Sequence, residues 1–197
     1  MLTLYAAPKT RSYGVMWLLE EIGVAYELKR LNLENREHKS DAFLKLNPFG
    51  KVPTLTDGKI VLTERAAICT YLADRYAPGK LAPSLDDDRR GDYLRWMFFS
   101  VGSMEPLFLA KFLSLDLPPT QAPYGTFEDA NDVMDAAVAT GPFLLGEQFT
   151  AADIMMGTMI RLGLKWELVA GPHLADYIQR LEARPAFKRT AKFDEGT

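Results

Sequence analysis

The chain has a single cysteine, Cys69, and only two histidines, His38 and His173, among its 197 residues. One thiol excludes an internal disulfide framework and any CxxC redox pair. Neither imidazole belongs to a cluster with metal-ligand spacing, so no metal site is expected. No apolar run approaches the roughly 20 residues that a bilayer-spanning helix needs. Charge of either sign is not in excess: 23 Lys and Arg against 26 Asp and Glu leave a net −3. That balance gives no footing for nucleic acid or an anionic membrane as partner. There is no internal repeat and no low-complexity segment. A strand-like Leu2-Thr3-Leu4-Tyr5 stands where a signal peptide would, so the expectation is a cytoplasmic protein. What remains is an ordinary globular composition, 48% apolar and 25% charged, long enough for one large domain or two small ones.

The hydrophobic pattern divides the chain. Residues 2–5 read as a strand, followed by a loop broken at Pro8. Val15, Leu18, Leu19 and Ile22 then recur at helical spacing, closed by Gly23. Residues 25–31 suggest a second strand, and 39–46 a weaker helix that stops before Asn47-Pro48. Two short strands, 52–56 and 59–62, flank the turn signal Asp57-Gly58. A helix over about 64–76 completes the order β-α-β-α-β-β-α. Composition shifts between Ala77 and Ser84, a natural linker. Beyond it everything reads as helix: 89–115 with a bend near Pro106, then 124–140, then a segment opened by Thr150 and Asp153. Those two are spaced as a capping box, with Phe149 and Ile154 placed as a hydrophobic staple. Met155, Met159, Leu162 and Trp166 follow along one face. Leu174, Ile178 and Leu181 mark a further helix, and Pro185 restarts the last. The expected domains are therefore 1–77 and 83–197. The acidic run Asp86-Asp87-Asp88 complements a helix N-terminus and needs no metal.

The most informative stretch is Gly50-Lys51-Val52-Pro53-Thr54-Leu55. Pro53 cannot donate to a sheet, so a strand starting there is unpaired at its first residue. If the Val52–Pro53 bond is cis, Val52 turns its N–H and C=O outward, free to grip an extended peptide as an added strand. Eleven residues on, Thr63-Glu64-Arg65 opens a helix whose N–H groups favour an anion. A peptide-like ligand with a carboxylate, of the kind glutathione provides, fits both features.

These pieces, with Thr10-Arg11-Ser12, the run from Trp17 to Gly23, Asn47-Pro48-Phe49-Gly50, Phe149 to Asp153 and Arg184-Pro185-Ala186-Phe187, resemble the soluble glutathione S-transferase superfamily in order along nearly the whole chain. The resemblance implies an α/β plus all-α fold. An N-terminal thioredoxin-like domain would be joined to a C-terminal helical bundle, acting as a homodimer. It implies a transferase that conjugates the glutathione thiolate to small apolar electrophiles, with glutathione as co-substrate. Thr10 and Ser12 then become candidate thiol contacts, with the option open that both merely cap the helix after them. Lys51, Val52, Pro53, Glu64 and Arg65 become candidate glutathione-binding residues. Arg65 replaces the family's usual serine. It would hold the γ-glutamyl carboxylate as a charged fork or face a dimer partner. Lys51 pairs with the glycyl carboxylate or is simply solvated. Cys69, amid apolar neighbours, reads as a small buried residue.

Holding a thiol ionised near neutral pH requires lowering a pKa of about 8.5 by about two units, roughly 2.7 kcal/mol. A helix N-terminus supplies typically about 0.3–1 kcal/mol. A hydrogen bond to charged sulfur adds roughly 1.5–3 kcal/mol. The helix end alone falls short, so a hydroxyl after the first strand is needed. The alternatives on the same fold are a glutathione-dependent isomerase or disulfide reductase. The loop Pro8-Lys9-Thr10-Arg11-Ser12 lacks the Ser-Ser-Cys run of the one and the cysteine of the other. A non-enzymatic binding module is the alternative from another class, and a peptide grip argues against it.

Overall fold

The apolar run at the N-terminus forms strand β1 (Leu2–Ala6), with only Tyr5 short of full burial. A strand buried on both faces belongs inside a sheet. Strand β2 (Glu27–Arg30) pairs with it in parallel, Leu4 opposite Leu28. Strand β3 (Thr54–Asp57) pairs antiparallel on the other side, Leu4 opposite Leu55, and β4 (Ile60–Leu62) follows across a tight turn. The sheet order is β2-β1-β3-β4. A parallel β1–β2 pair needs a crossover, supplied by helix α1 (Ser12–Ile22), which buries Val15, Leu18 and Leu19. It ends at Gly23, whose φ of 74° lets its N–H reach Leu19 O at 2.9 Å.

The computed structural model describes residues 1–194, which fall into two compact units. One comprises Met1–Ala77 together with the segment from Pro185 onward; the other is Pro78–Arg184. The single helix expected at 39–46 is instead a 3₁₀ turn, Glu37–Lys39, followed by the four-residue α2 (Asp41–Leu44). Ser40 causes the break: it is extended, and its Oγ accepts the Phe43 N–H at 3.3 Å as an N-cap. Helix α3 (Arg65–Tyr76) closes the first stretch of this unit.

The last helix, α9 (Pro185–Asp194), corrects the expected 83–197 domain, because it belongs with the first unit. Phe187 meets Trp17 edge-on at 5.0 Å and Tyr13 at 5.7 Å between ring centroids. Arg189 donates to Glu20 through Nε at 2.7 Å and to its carbonyl through Nη2 at 3.0 Å. The Arg30 guanidinium covers the Phe193 ring at 4.8 Å. Aromatic contact supplies most of this docking, since an exposed ion pair contributes about 1 kcal/mol or less.

The second unit is helical. The helix expected at 89–115 runs as α4 (Arg90–Phe99), a π-turn at Ser100–Met104, and α5 (Glu105–Phe112). Pro106 has no N–H for the carbonyl four residues back, and the wider π-turn absorbs that missing bond. Helix α6 (Phe127–Ala139) opens with a capping box between Thr126 and Asp129. Helix α7 (Ala151–Lys165) is the core, with Ile154, Met155, Met156, Met159 and Ile160 buried. Trp166, expected on that face, lies past the helix end and is exposed, its ring edge-on to Phe112 at 4.7 Å. Helix α8 (Leu174–Glu182) packs on α7. No helix among the described residues is long and apolar enough to cross a membrane.

Asp153 has more partners than a cap needs. It is fully buried, and one oxygen takes the Leu144 N–H at 2.8 Å and the Tyr177 hydroxyl at 2.9 Å. The other takes the Thr150 N–H at 2.8 Å and its hydroxyl at 3.2 Å. Burial pushes the carboxyl from 3.8 up to about 6, against the pull of those donors. The folded protein therefore binds this proton more tightly than the unfolded chain. The contribution of Asp153 to stability is full below 3.8 and declines as pH rises through about 6. Asp153→Ala removes the cap and strands buried donors, so it is expected to destabilise by roughly 2–4 kcal/mol at pH 4. The loss should shrink toward pH 8. Urea unfolding of both proteins across pH measures this, and a gap that widens with pH would contradict it.

Candidate functional site

The loop leaving β1 is organised by two hydroxyls. Thr10 Oγ1 lies 2.6 Å from the Ala7 carbonyl and 2.9 Å from Ser12 Oγ, and it accepts the Ser12 N–H at 3.2 Å. Ser12 Oγ also receives the Ala7 N–H at 3.4 Å. Thr10 has one proton for two nearby acceptors, and the shorter contact is to the carbonyl. Ser12 is 0% exposed, whereas Thr10 is half-buried at the loop surface. The structure thus separates the two candidates. Ser12 locks the loop onto α1, and Thr10 is the hydroxyl an external group can reach.

The second loop carries the peptide-grip motif. Asn47, 2% exposed, donates through Nδ2 to the Lys51 carbonyl at 2.8 Å and to Thr54 Oγ1 at 3.1 Å. Its Oδ1 accepts the Phe49 N–H at 3.1 Å, and the Thr54 hydroxyl reaches the Lys51 carbonyl at 3.0 Å. The Val52–Pro53 peptide bond is cis. Pro53 is buried, and among the described residues the Val52 N–H and C=O have no hydrogen-bond partner. Gly50 is required where it stands. Its φ is 59°, and a Cβ there would come within 2.6 Å of the His38 carbonyl. Lys39 Nζ, donating to the Phe49 carbonyl at 2.7 Å, pins the same approach.

The two loops face one cavity of about 290 Å³. Its walls are Thr10, Arg11, Leu33, His38, Gly50, Lys51 and Val52. The structure therefore brings together three of the expected site residues, Thr10, Lys51 and Val52, and adds Arg11, Leu33 and His38, which no motif marks as site residues. Arg11 stands between Thr10 and Ser12, and only those hydroxyls have a thiol-contacting chemistry that marks them in the sequence. His38 and Leu33 come from the irregular 31–40 segment, where no periodicity or spacing marks a residue as facing anything. Three basic side chains on one small wall make it a place for an anionic group.

Glu64, Arg65 and the start of α3 lie outside those walls. Glu64 occupies the N-cap position with φ 65° and ψ 116°, and its side chain caps nothing. A non-glycine residue held there costs of order 1–3 kcal/mol. The helix is consequently left with its first turn open: among the described residues the N–H groups of Ala66 and Ala67 have no acceptor. Arg65 is buried, at 6% exposure, and its charge lies near Cys69. Burial pushes the Cys69 thiol up to about 12, only partly offset by Arg65, so this cysteine stays a thiol. Among the described residues no group of three or more His, Cys, Asp or Glu is arranged to hold a metal.

Known proteins match both units. Residues 1–74 fit the family model described as glutathione S-transferase, N-terminal domain. Human glutathione S-transferase theta-2 is 35% identical over 187 residues, covering 87% of this chain and 76% of the relative. The solved glutathione transferase from Methylococcus capsulatus strain Bath is 27% identical, covers 99% of each chain and has a TM-score of 0.82. The theta class glutathione S-transferase from Xanthomonas axonopodis pv. citri, solved with glutathione bound, is 29% identical over 96% of each chain, with a TM-score of 0.76.

The Asn47 bracket has a direct test. Asn47→Ala leaves the Lys51 carbonyl and Phe49 N–H short of a partner and is expected to destabilise by about 1–3 kcal/mol. Amide exchange between residues 49 and 54 should accelerate while that of β1 in the folded protein keeps its protection. Uniform acceleration across the sheet would show that Asn47 supports the whole fold and not this loop.

Proposed function

Since this chain belongs to the glutathione S-transferase family, we propose that it conjugates the glutathione thiolate to small apolar electrophiles. The observation that carries the reading is the shared cavity, where an unpartnered Val52 backbone, a reachable Thr10 hydroxyl and a basic wall meet. In this reading the cysteinyl backbone of glutathione pairs with the Val52 N–H and C=O, as an added strand would. Pro53 starts β3 beneath that pair. The glycyl carboxylate meets Lys51, with Arg11 and His38 on the same wall. The γ-glutamyl carboxylate sits at the open first turn of α3, where Glu64 is exposed for its ammonium group and Arg65 lies buried below.

Thr10 donates to the thiolate sulfur. To do so it releases the Ala7 carbonyl, and its oxygen then accepts from Ser12 on the other side. Exchanging a neutral acceptor, worth about 0.5–1.5 kcal/mol, for a charged one, worth about 1.5–3 kcal/mol, leaves roughly 1–1.5 kcal/mol for ionisation. With the α1 N-terminus this approaches the roughly 2.7 kcal/mol required. The thiolate attacks the electrophilic carbon, a C–S bond forms, and the electrophile's leaving group departs with its electron pair. Ser12 is a positioning residue in this scheme. The family likeness carries the further reading of a cytoplasmic homodimer that uses no metal.

Thr10→Val keeps shape and deletes the donor. Turnover near neutral pH is expected to fall about tenfold, with glutathione binding retained and part of the rate recovered at higher pH. Full activity across pH in this variant would remove Thr10 from the chemistry, and a larger loss in Ser12→Ala would transfer the role there. Lys51→Ala is expected to raise the KM for glutathione several-fold with little change in kcat, the pattern of a lost ground-state contact. Failure of the wild-type protein to bind immobilised glutathione would favour a module without this activity.

A further inference from the structure

The second unit has a cavity of its own, about 480 Å³, between the end of α6, the loop after it and the outer side of α8. Its charged walls are Glu147, His173, Asp176 and Arg180. The last three fall three and four residues apart and so share one side of α8. The signs alternate but do not cancel locally. Among the described residues, neither Glu147 nor Asp176 has an ion-pair partner. Arg180 donates through Nε to the Pro142 carbonyl at 3.3 Å and lies over the Tyr177 ring at 6.0 Å. Two carboxylates without an ion-pair partner, placed beside a guanidinium, suit a ligand that brings both complements.

The walls are held firmly. Asp135 accepts the His173 backbone N–H at 2.9 Å and contacts His173 Nδ1 at 2.8 Å. One turn earlier Asn131 receives the Ala170 N–H at 3.0 Å and donates to its carbonyl at 2.5 Å. A Cβ at Gly171 would come within 2.2 Å of the Asp135 carboxylate, so the strap before α8 is pressed flat on α6. Asp135 thereby directs the imidazole and leaves Nε2 as the remaining nitrogen. On the opposite wall α6 ends without a C-cap bond. Among the described residues the carbonyls of Val138 and Ala139, which line the cavity, accept no bond from outside the helix. That is the negative end of a 13-residue helix dipole.

We propose that this cavity is a second, non-catalytic binding site for a zwitterionic amino acid or short peptide. The ammonium group lies against Glu147, Asp176 and the α6 carbonyls, and the carboxylate lies on Arg180 with His173 beside it. The volume suits one to three residues. A simple anion would meet two carboxylates and a simple cation would meet Arg180, so both complements are needed on one ligand.

Calorimetry on the full chain tests this with L-alanyl-L-alanine, its N-acetyl derivative and its C-terminal amide, each titrated into the wild-type protein and into Lys51→Ala with no glutathione present. Lys51→Ala weakens the site proposed above and leaves this cavity intact, and a separate titration with S-methylglutathione reports on that reading. The dipeptide is expected to bind, and loss of either charge should weaken binding about tenfold or more. Glu147→Gln and Arg180→Gln should each do the same, while exposed Lys165→Gln should not. Thermal melts check that the variants fold, and Glu147→Gln, exposed and unpaired, tests the site even if Arg180→Gln does not. No heat from the dipeptide, equal binding of all three compounds, or indifference to both cavity variants would overturn the proposal.

Discussion

The Asn47 side chain holds the cavity-facing geometry of the first unit. By clamping the Lys51 carbonyl together with Thr54, and the Phe49 N–H with its other end, it bends the chain between α2 and β3 into one shape. Everything presented to the cavity from that side depends on the bend, including the unpartnered Val52 backbone and the Lys51 side chain. A buried amide with both ends satisfied is a high-stakes bond, since removing it strands its partners out of water.

The hydroxyl pair after β1 works by competition. Thr10 is already bonded, so in the proposed reaction its help to a thiolate would be the difference between two hydrogen bonds and not the value of one. That difference is small, so under the proposal neither the hydroxyl nor the helix end would suffice alone. The open first turn of α3 follows the same logic. Glu64 accepts an unfavourable backbone conformation and provides no cap, which leaves the first-turn N–H groups without an acceptor among the described residues.

In the second unit Asp153 and the Asn131–Asp135 pair perform comparable tasks from opposite sides. Asp153 gathers the Leu144 loop, the start of α7 and Tyr177 of α8 around one buried carboxyl. Asn131 and Asp135 hold the strap into α8 against α6. Together they make the outer side of α8 a fixed surface, on which the row His173, Asp176 and Arg180 stands.

Local chemistry was legible in the residues. The β-α-β-α-β-β-α order, the stop at Gly23, the hairpin at Asp57-Gly58, the cap at Thr150 and Asp153, and the outward-turned backbone at Val52 each depend on neighbours within a few positions. Spacing and side-chain type carry such features. The tertiary structure decided what depends on distant partners. Helix α9 left the expected helical domain because Phe187 and Arg189 meet Trp17, Tyr13 and Glu20, some 170 residues earlier in the chain. Ser12 was separated from Thr10 by burial against the Ala7 backbone, which no motif records. His38 joined the cavity only because Gly50, lacking a Cβ, lets the two loops touch. Sequence dictates the short-range bonds, and close packing of segments far apart in the chain determines which of those groups ever face a ligand.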